Sequence, residues 1–284
     1  MKSGVKPPLQ KIPGREVFSD LQALRSCRVH TVCQEAHCPN LGSCFAEKKL
    51  TFLILGDTCT RNCTFCAVKK TRLKKLVFDL DEPLRVARAV KKFRLKYAVI
   101  TSVTRDDLED GGAQNFARTI EAIHEADATV QTEVLIPDLQ GKKSSLEIIL
   151  RAHPQVLAHN LETVSRLYPV LRPQADYRLS LTLLEMAKEI LPQVQTKSSL
   201  MLGLGEKEAE VISALKDLRE NACDFLTLGQ YLSPSPDHYP VKESISAGQF
   251  AYYRDMALVL GFKACLAGPS VRSSYKAEEL YASI

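Results

Sequence analysis

Eight residues, Cys59-Thr60-Arg61-Asn62-Cys63-Thr64-Phe65-Cys66, carry three thiols spaced Cys-x3-Cys-x2-Cys. They follow an apolar run, Phe52-Leu53-Ile54-Leu55, closed by Gly56-Asp57-Thr58. Three thiolates on one short loop can wrap a metal centre, and soft sulfur ligands favour iron–sulfur clusters, zinc or Cu(I). Three Cys are equally three sides of a zinc site with a distant fourth ligand, or part of a disulfide knot. A four-iron cube held by three Cys keeps one iron without a protein ligand. An open iron is useless for plain electron transfer and useful where a small molecule must bind the metal. A second group, Cys33-x4-Cys38-x5-Cys44, ends fourteen residues upstream of the first. Pro39, Asn40 and Gly42 make it turn-rich, so its backbone can fold round a cluster.

The elements that must position these thiols are legible as an alternation. Phe18 to Leu24 reads as a short helix before the first thiols. From residue 81, Leu84, Ala87, Val90 and Phe93 mark a helical face, and Tyr97-Ala98-Val99-Ile100 a buried strand. The pattern repeats through helices at Phe116/Ile120/Ile123, Leu146/Ile149/Leu150, Leu179/Leu183/Met186/Ile190, Val211/Leu215/Leu218/Ala222 and Phe250/Tyr253/Ala257/Leu260. Strands are expected at 134–136, 156–158, 200–202, 225–228 and, more weakly, 264–266. Repeated strand–helix units imply a parallel sheet with right-handed crossovers, either open and doubly wound or a full or partial barrel. Polar residues gather at the strand ends: Asp57-Thr58, Thr101-Ser102, Asp138, His159-Asn160 and Gln230. In a β/α barrel that end holds the active site, so the cysteine loop and these groups should face one mouth.

Composition sets the bounds. The chain has 284 residues, 45% hydrophobic and 25% charged, which suits one large α/β domain. A net charge of +5 is too small to argue for nucleic acid. No stretch approaches the ~18 apolar residues that span a bilayer. Residues 1–13 carry Lys and Pro without an apolar core, and read as a loose tail rather than a secretory signal. Nine Cys without such a signal point to a reducing compartment, the cytoplasm or else an organelle, and to metal ligation. The basic run Lys69, Lys70, Arg72, Lys74 and Lys75 reads first as a solvated loop, and otherwise as a patch for an acidic carrier.

The Cys-x3-Cys-x-aromatic-Cys loop, with Phe65 in the aromatic slot, resembles the signature of the radical S-adenosylmethionine (SAM) enzymes. With Cys33-x4-Cys38-x5-Cys44 and Arg272-Ser273-Ser274-Tyr275, the chain resembles the lipoyl synthase family from about residue 30 to 275. The likeness takes in Arg105-Asp106-Asp107-Leu108, Glu133 to Asp138, His159-Asn160-Leu161-Glu162-Thr163 and Met201-Leu202-Gly203-Leu204-Gly205-Glu206. It departs at Ser199, where the family pattern has Gly.

That resemblance implies an α/β fold: a partial (β/α)6-type TIM-like barrel with N-terminal and C-terminal extensions covering the barrel mouth. The extensions would be residues 1–50, with the ligands of an auxiliary cluster, and 268–284, with the Arg-Ser-Ser-Tyr segment; the barrel would be 51–267. It implies two 4Fe–4S clusters with SAM as co-substrate. Cys59, Cys63 and Cys66 would hold the SAM cluster; Cys33, Cys38, Cys44 and Ser274 the auxiliary one, with Ser274 also catalytic. Phe65, Ser102, Asn160 and Arg172 would contact the cofactor, although Ser102, Asn160 and Arg172 could equally be caps or loop hydrogen bonds. The implied reaction inserts two sulfurs, at C6 and C8, into an octanoyl group on a lysine of a lipoyl carrier protein or domain. Implied partners are that carrier, a reducing electron donor such as ferredoxin or flavodoxin, and an iron–sulfur carrier that restores the auxiliary cluster; no nucleic acid or membrane is implied.

The competing readings are a biotin-synthase-like sulfur-inserting enzyme, a two-cluster electron carrier and a zinc-bearing binding module. Asp110-Gly111-Gly112 could offer helix amides to a carboxylate or be a plain turn. His37 reads as a loop residue. Cys27, Cys223 and Cys265 fit neither spacing, the last two being expected as buried small residues.

Overall fold

Thr51-Phe52-Leu53-Ile54 is buried on both faces, as a strand of a covered parallel sheet must be. In the computed structural model, which describes residues 15–71, 77 and 79–283, it is the first of seven parallel strands. These are β1 (Thr51–Ile54), β2 (Tyr97–Ser102), β3 (Gln131–Leu135), β4 (Val156–Ala158), β5 (Gln195–Leu202), β6 (Phe225–Gln230) and β7 (Ala264–Gly268). Between them run α1 (Glu82–Phe93), α2 (Ala113–Ala126), α3 (Lys143–Arg151), α4 (Tyr177–Ile190), α5 (Glu208–Glu220) and α6 (Ala247–Val259). Six strand–helix units and one further strand give the expected barrel class. A two-residue strand, His30–Thr31, pairs antiparallel with β1 at the sheet edge.

Strand order follows chain order. Right-handed crossovers then place every helix on one side, and the sheet curls with its other side inward. The outward face is apolar, with Phe52, Ile54, Ile100, Val134, Leu157, Leu200 and Leu226 packed with Val86, Phe116, Ile149, Leu183 and Leu215 of the helices. Register puts Thr51, Val99 and Glu133 on the inward face, continued by Lys197, Ser199 and Thr227. Inside, Lys197 is paired with Glu133 at 2.7 Å, and the Tyr97 hydroxyl donates to Glu133 at 2.8 Å. Caps fix where helices begin. Pro83 opens α1, while Asp176 and Ser246 accept from backbone N–H groups at the starts of α4 and α6.

One expectation is corrected. The C-terminal helix Ala277–Tyr281 does not lie over the mouth. Ala277, Leu280 and Tyr281 pack on Tyr97, Val99, Val156 and Phe225, at or near the first residues of their strands. The apolar side chains of that helix need an apolar floor, whereas the mouth is ringed by charged and polar groups. Leu84, read as part of the buried face of α1, is 49% exposed, and Val86, Ala87, Val90 and Phe93 form that face. Residues 1–13, Arg72, Lys74 and Lys75 lie outside the described residues. Lys70 is tied down, donating to the Cys63 carbonyl at 2.9 Å. Among the described residues, no helix is long and apolar enough to cross a membrane.

Candidate active site

The cysteine loop leaves the C-terminal end of β1 through Leu55, at φ 68°, and Gly56, at φ 87°. Their N–H groups donate to the carboxylate of Glu82, at the start of α1, at 2.7 and 3.3 Å. Gly112 has to lack a side chain, because a Cβ there would stand 2.2 Å from Leu55 Cδ1. Beyond the turn, Arg61 fixes the loop. Its guanidinium donates to both oxygens of Asp106, at 2.7 and 2.8 Å, and to both oxygens of Asp138. Burial works against the Arg61 charge, but these two carboxylates outweigh it and hold it ionised. Thr64 N–H donates to the Leu171 carbonyl at 3.0 Å, and Tyr239 N–H donates to the Thr64 carbonyl at 3.0 Å. His238 Nε2 lies 3.2 Å from the Cys66 carbonyl. Segments after four different strands therefore grip one eight-residue loop.

Cys59, Cys63 and Cys66 are all part-buried on that loop, and Phe65 packs against the main core. Burial pushes the Cys66 thiol up to about 12. It raises Cys63 too, partly countered by the Arg172 guanidinium. Arg172 donates to the Asn160 and Leu161 carbonyls at 3.0 and 3.2 Å and lies 5.1 Å from the centre of the Tyr168 ring. Asn160 donates to Glu162 at 3.0 Å. Glu162 is held at φ 68°, a costly conformation for a residue with a side chain, and burial raises its carboxyl pKa.

Ser102, Asn160 and Arg172 each carry a buried polar atom without a partner: Ser102 Oγ, Asn160 Oδ1 and Arg172 Nε. So does His159 at Nε2. Its Nδ1 lies 2.9 Å from the Ile136 carbonyl, which can only accept, so Nδ1 carries the proton. Orphaned buried polar atoms are rare in finished structures and mark places where a polar ligand belongs. Three at strand ends, with Arg172 after the short helix Tyr168–Leu171, fit a polar co-substrate. Gln230 is not of this kind: its amide is fully used on Leu202, Tyr231, Glu243 and Ile245. The amides at Asp110-Gly111-Gly112 are likewise taken, since Asp110 accepts from Gly112 and Gln114 N–H.

The upstream thiols sit at the other end of the barrel. Cys33, Cys38, Cys44 and Ser274 line one cavity together with Thr51, Tyr97, Val99, Lys48, Lys49 and Arg272. Burial pushes Cys33 up to about 12 and Cys44 to about 11, in each case with help from the neighbouring Cys38. Ser274 is brought there from the chain's far end by contacts between the two extensions. Asn40 donates to the Ser270 carbonyl at 2.6 Å, and Thr51 Oγ1 donates to Ser274 Oγ at 2.8 Å. All nine Cys are free thiols, which removes the disulfide reading. Among the described residues, no three His, Cys, Asp or Glu side chains draw together around a single metal ion. Soft, unpaired thiols lining a cavity with one hydroxyl are chemically suited to an iron–sulfur cluster. Cys223 is buried and donates to the Phe225 carbonyl; Cys265 is also buried, and Cys27 is half-buried.

Residues 53–218 match the Radical SAM superfamily. Lipoyl synthase of Caldicellulosiruptor saccharolyticus is 53% identical over 259 residues, covering 91% of this chain and 90% of that protein. The chain belongs to the lipoyl synthase family. Lipoyl synthase of Aquifex aeolicus is 50% identical, over 93% of this chain and 95% of its own length. Methylornithine synthase has a similar fold, with a TM-score of 0.58 at 15% identity over 91% of this chain and 72% of that one. HydG, a maturase of the FeFe hydrogenase, has a TM-score of 0.55 at 13% identity, over 95% and 71%. Lipoyl synthase family membership carries with it the superfamily's 4Fe–4S cluster and SAM. Ser199, the departure from the lipoyl synthase pattern, lies inside β5 and donates to the Thr227 carbonyl at 3.2 Å.

Sequence reasoning did not single out Arg61, Asp106 and Asp138 as a lock, nor Glu82, Glu162 or Thr51. Arg61 and Asp138 are 77 residues apart and meet only when β3 lies two strands from β1. The polar strand ends were the available signal for Asp138 and His159.

Proposed function

We propose that this protein inserts two sulfur atoms, at C6 and C8, into an octanoyl group amide-linked to a lysine of a carrier protein or domain. Cys59, Cys63 and Cys66 would hold the cluster that binds SAM, and Cys33, Cys38, Cys44 and Ser274 the auxiliary cluster. When bound, these groups supply a 5′-deoxyadenosyl radical and the inserted sulfur. An unactivated C–H bond has no acidic proton, so the chain's own residues are left with binding, orienting and excluding water.

The observation that carries the reading is the shared cavity of Cys33, Cys38, Cys44 and Ser274. Thiols alone would fit many metal proteins; a hydroxyl brought to the same cavity from the opposite end of the chain fits the two-cluster arrangement. Geometry adds support. The strand between the two thiol groups, β1, is four residues long, so about 10 Å at ~3.3 Å per residue. That is the scale of an extended octanoyl chain, which must meet a radical at one end of the lumen and a sulfur donor toward the other. At the mouth, Phe65 of the cysteine loop packs against the core, while Ser102, Asn160 and Arg172 have unused polar atoms for SAM.

The test is anaerobic reconstitution followed by a single turnover. About eight irons per chain, an EPR change on adding SAM, and a mass gain of two sulfurs on an octanoyl-lysyl peptide are expected. Four irons with no sulfur transfer would refute it. Ser274→Cys tests the role of the hydroxyl: a weak, hard ligand is a release point, so sulfur insertion should slow while iron is retained. A wild-type rate would remove that role. Ferredoxin or flavodoxin as donor, an iron–sulfur carrier for repair and a cytoplasmic setting accompany this proposal and rest on the family alone.

A further inference from the structure

Thr51 is the first residue of β1 and is 5% exposed. Its backbone is fixed in register against Val99 of β2. From there it lines the second thiol cavity alongside Cys33 and Ser274. Its hydroxyl donates to Ser274 Oγ at 2.8 Å, across 223 residues of sequence. Ser274 itself rides on a turn held by Asn40 to Ser270 and by Arg272 to Pro269 and Val271. Neither extension is part of the parallel sheet. Through its hydroxyl, Thr51 joins the sheet to the segment that carries Ser274.

We propose that Thr51 is the positioning residue of the auxiliary site, setting the place and strength of the Ser274 ligand through one hydroxyl. This rests on the proposed ligand set. A hydroxyl oxygen bound to metal carries negative charge, and a hydrogen bond donated to such an oxygen is stronger than one between neutral groups. Thr51 thereby stabilises the oxygen in its ligating form and limits where it can go. Removing the donor leaves Ser274 with one fewer constraint while every thiol remains.

The reconstituted full-length protein tests this with Thr51→Val, which keeps the shape but loses the hydroxyl, and Thr51→Ser, which restores it. The readouts are iron per chain, the Mössbauer signal of the non-thiolate iron site, and the rate at which a chelator removes iron without turnover. In Thr51→Val, about tenfold faster iron removal and a changed site signal are expected, matching the loss of one charge-assisted hydrogen bond. Thr51→Ser should return both to wild type, and the SAM-dependent EPR change should persist in each variant. Wild-type iron removal and an unchanged site signal in Thr51→Val overturn the inference, as does failure of Thr51→Ser to rescue. A wild-type chain holding only about four irons overturns instead the two-cluster reading on which it stands. Circular dichroism of the variants identifies a folding defect; loss of fold in both would assign Thr51 to the sheet and overturn the positioning role.

Discussion

At the scale of single residues, the mouth is governed by charges that cannot move to water. Arg61 is 8% and Asp138 2% exposed, and the planar guanidinium serves two carboxylates at once. Lysine is a point charge and cannot hold that double fork. Arg61→Lys should therefore leave Asp138 poorly paired and cost about 3 kcal/mol, read as a lower denaturant midpoint, together with weaker iron retention on the cysteine loop. A midpoint equal to wild type would show that the pairing does not fix the loop. His159 makes a pH prediction. Burial depresses its pKa to about 4 from an ordinary 6.5, with Arg172 nearby adding to the effect. The unfolded chain thus takes up the proton first as pH falls. The stability linked to neutral His159 is complete above pH 6.5 and is lost as pH falls from 6.5 towards 4. The full difference is about 3 kcal/mol. His159→Gln should lose less stability than wild type between pH 7 and pH 4 in urea titrations. Two curves falling in parallel would mean the imidazole is not held neutral.

At the scale of elements, the strand-to-loop turn before Cys59 depends on a neighbour's missing side chain. Gly112 sits at φ 93° directly over Leu55, itself in a left-handed conformation. Gly112→Ala should cost about 2 kcal/mol or more, from backbone strain and the clash. It should also lower iron bound at the Cys59 loop, as measured by chelator-resistant iron, while Cys33, Cys38 and Cys44 keep theirs. Equal loss from both sites would indicate general unfolding instead. The elements themselves were largely legible beforehand. Buried runs such as Tyr97-Ala98-Val99-Ile100 read as strands because both faces are covered, and Phe116, Ile120 and Ile123 read as helix by spacing. Leu84 shows the limit of spacing. An apolar residue at the right interval on α1 still faces solvent, because the helix presents Val86 and Val90 to the sheet. Contacts such as Arg61–Asp138 and Thr51–Ser274 leave no local trace, since their partners are set by strand order and not by neighbours in sequence.

At the scale of the whole molecule, the barrel carries thiols at both ends, which the sequence pattern did not separate. The loop with Cys59, Cys63 and Cys66 leaves the C-terminal strand ends; the cavity of Cys33, Cys38, Cys44 and Ser274 lies where β1 and β2 begin. The reason is the C-terminal helix. Leu280, 4% exposed, packs on Val156 and Phe225, and Tyr281 lies 5.9 Å from the ring of Tyr97, so the tail closes the floor of the lumen. In closing the floor it carries Ser274 to Thr51. Docking of the tail and completion of the second ligand set proposed above are then one event, while the first proposed set depends on loops at the opposite end. Leu280→Ala should cost about 2–3 kcal/mol by emptying a packed site. Its iron content should fall from about eight towards four per chain, with the SAM-dependent EPR change retained. Truncation after residue 268 should go further, giving a chain that binds SAM at its remaining cluster and transfers no sulfur. Were Leu280→Ala to lose the SAM response as readily as the second set of irons, the two ends would be a single cooperative unit, and the tail's separate part in building the sulfur-donating site would have to be abandoned.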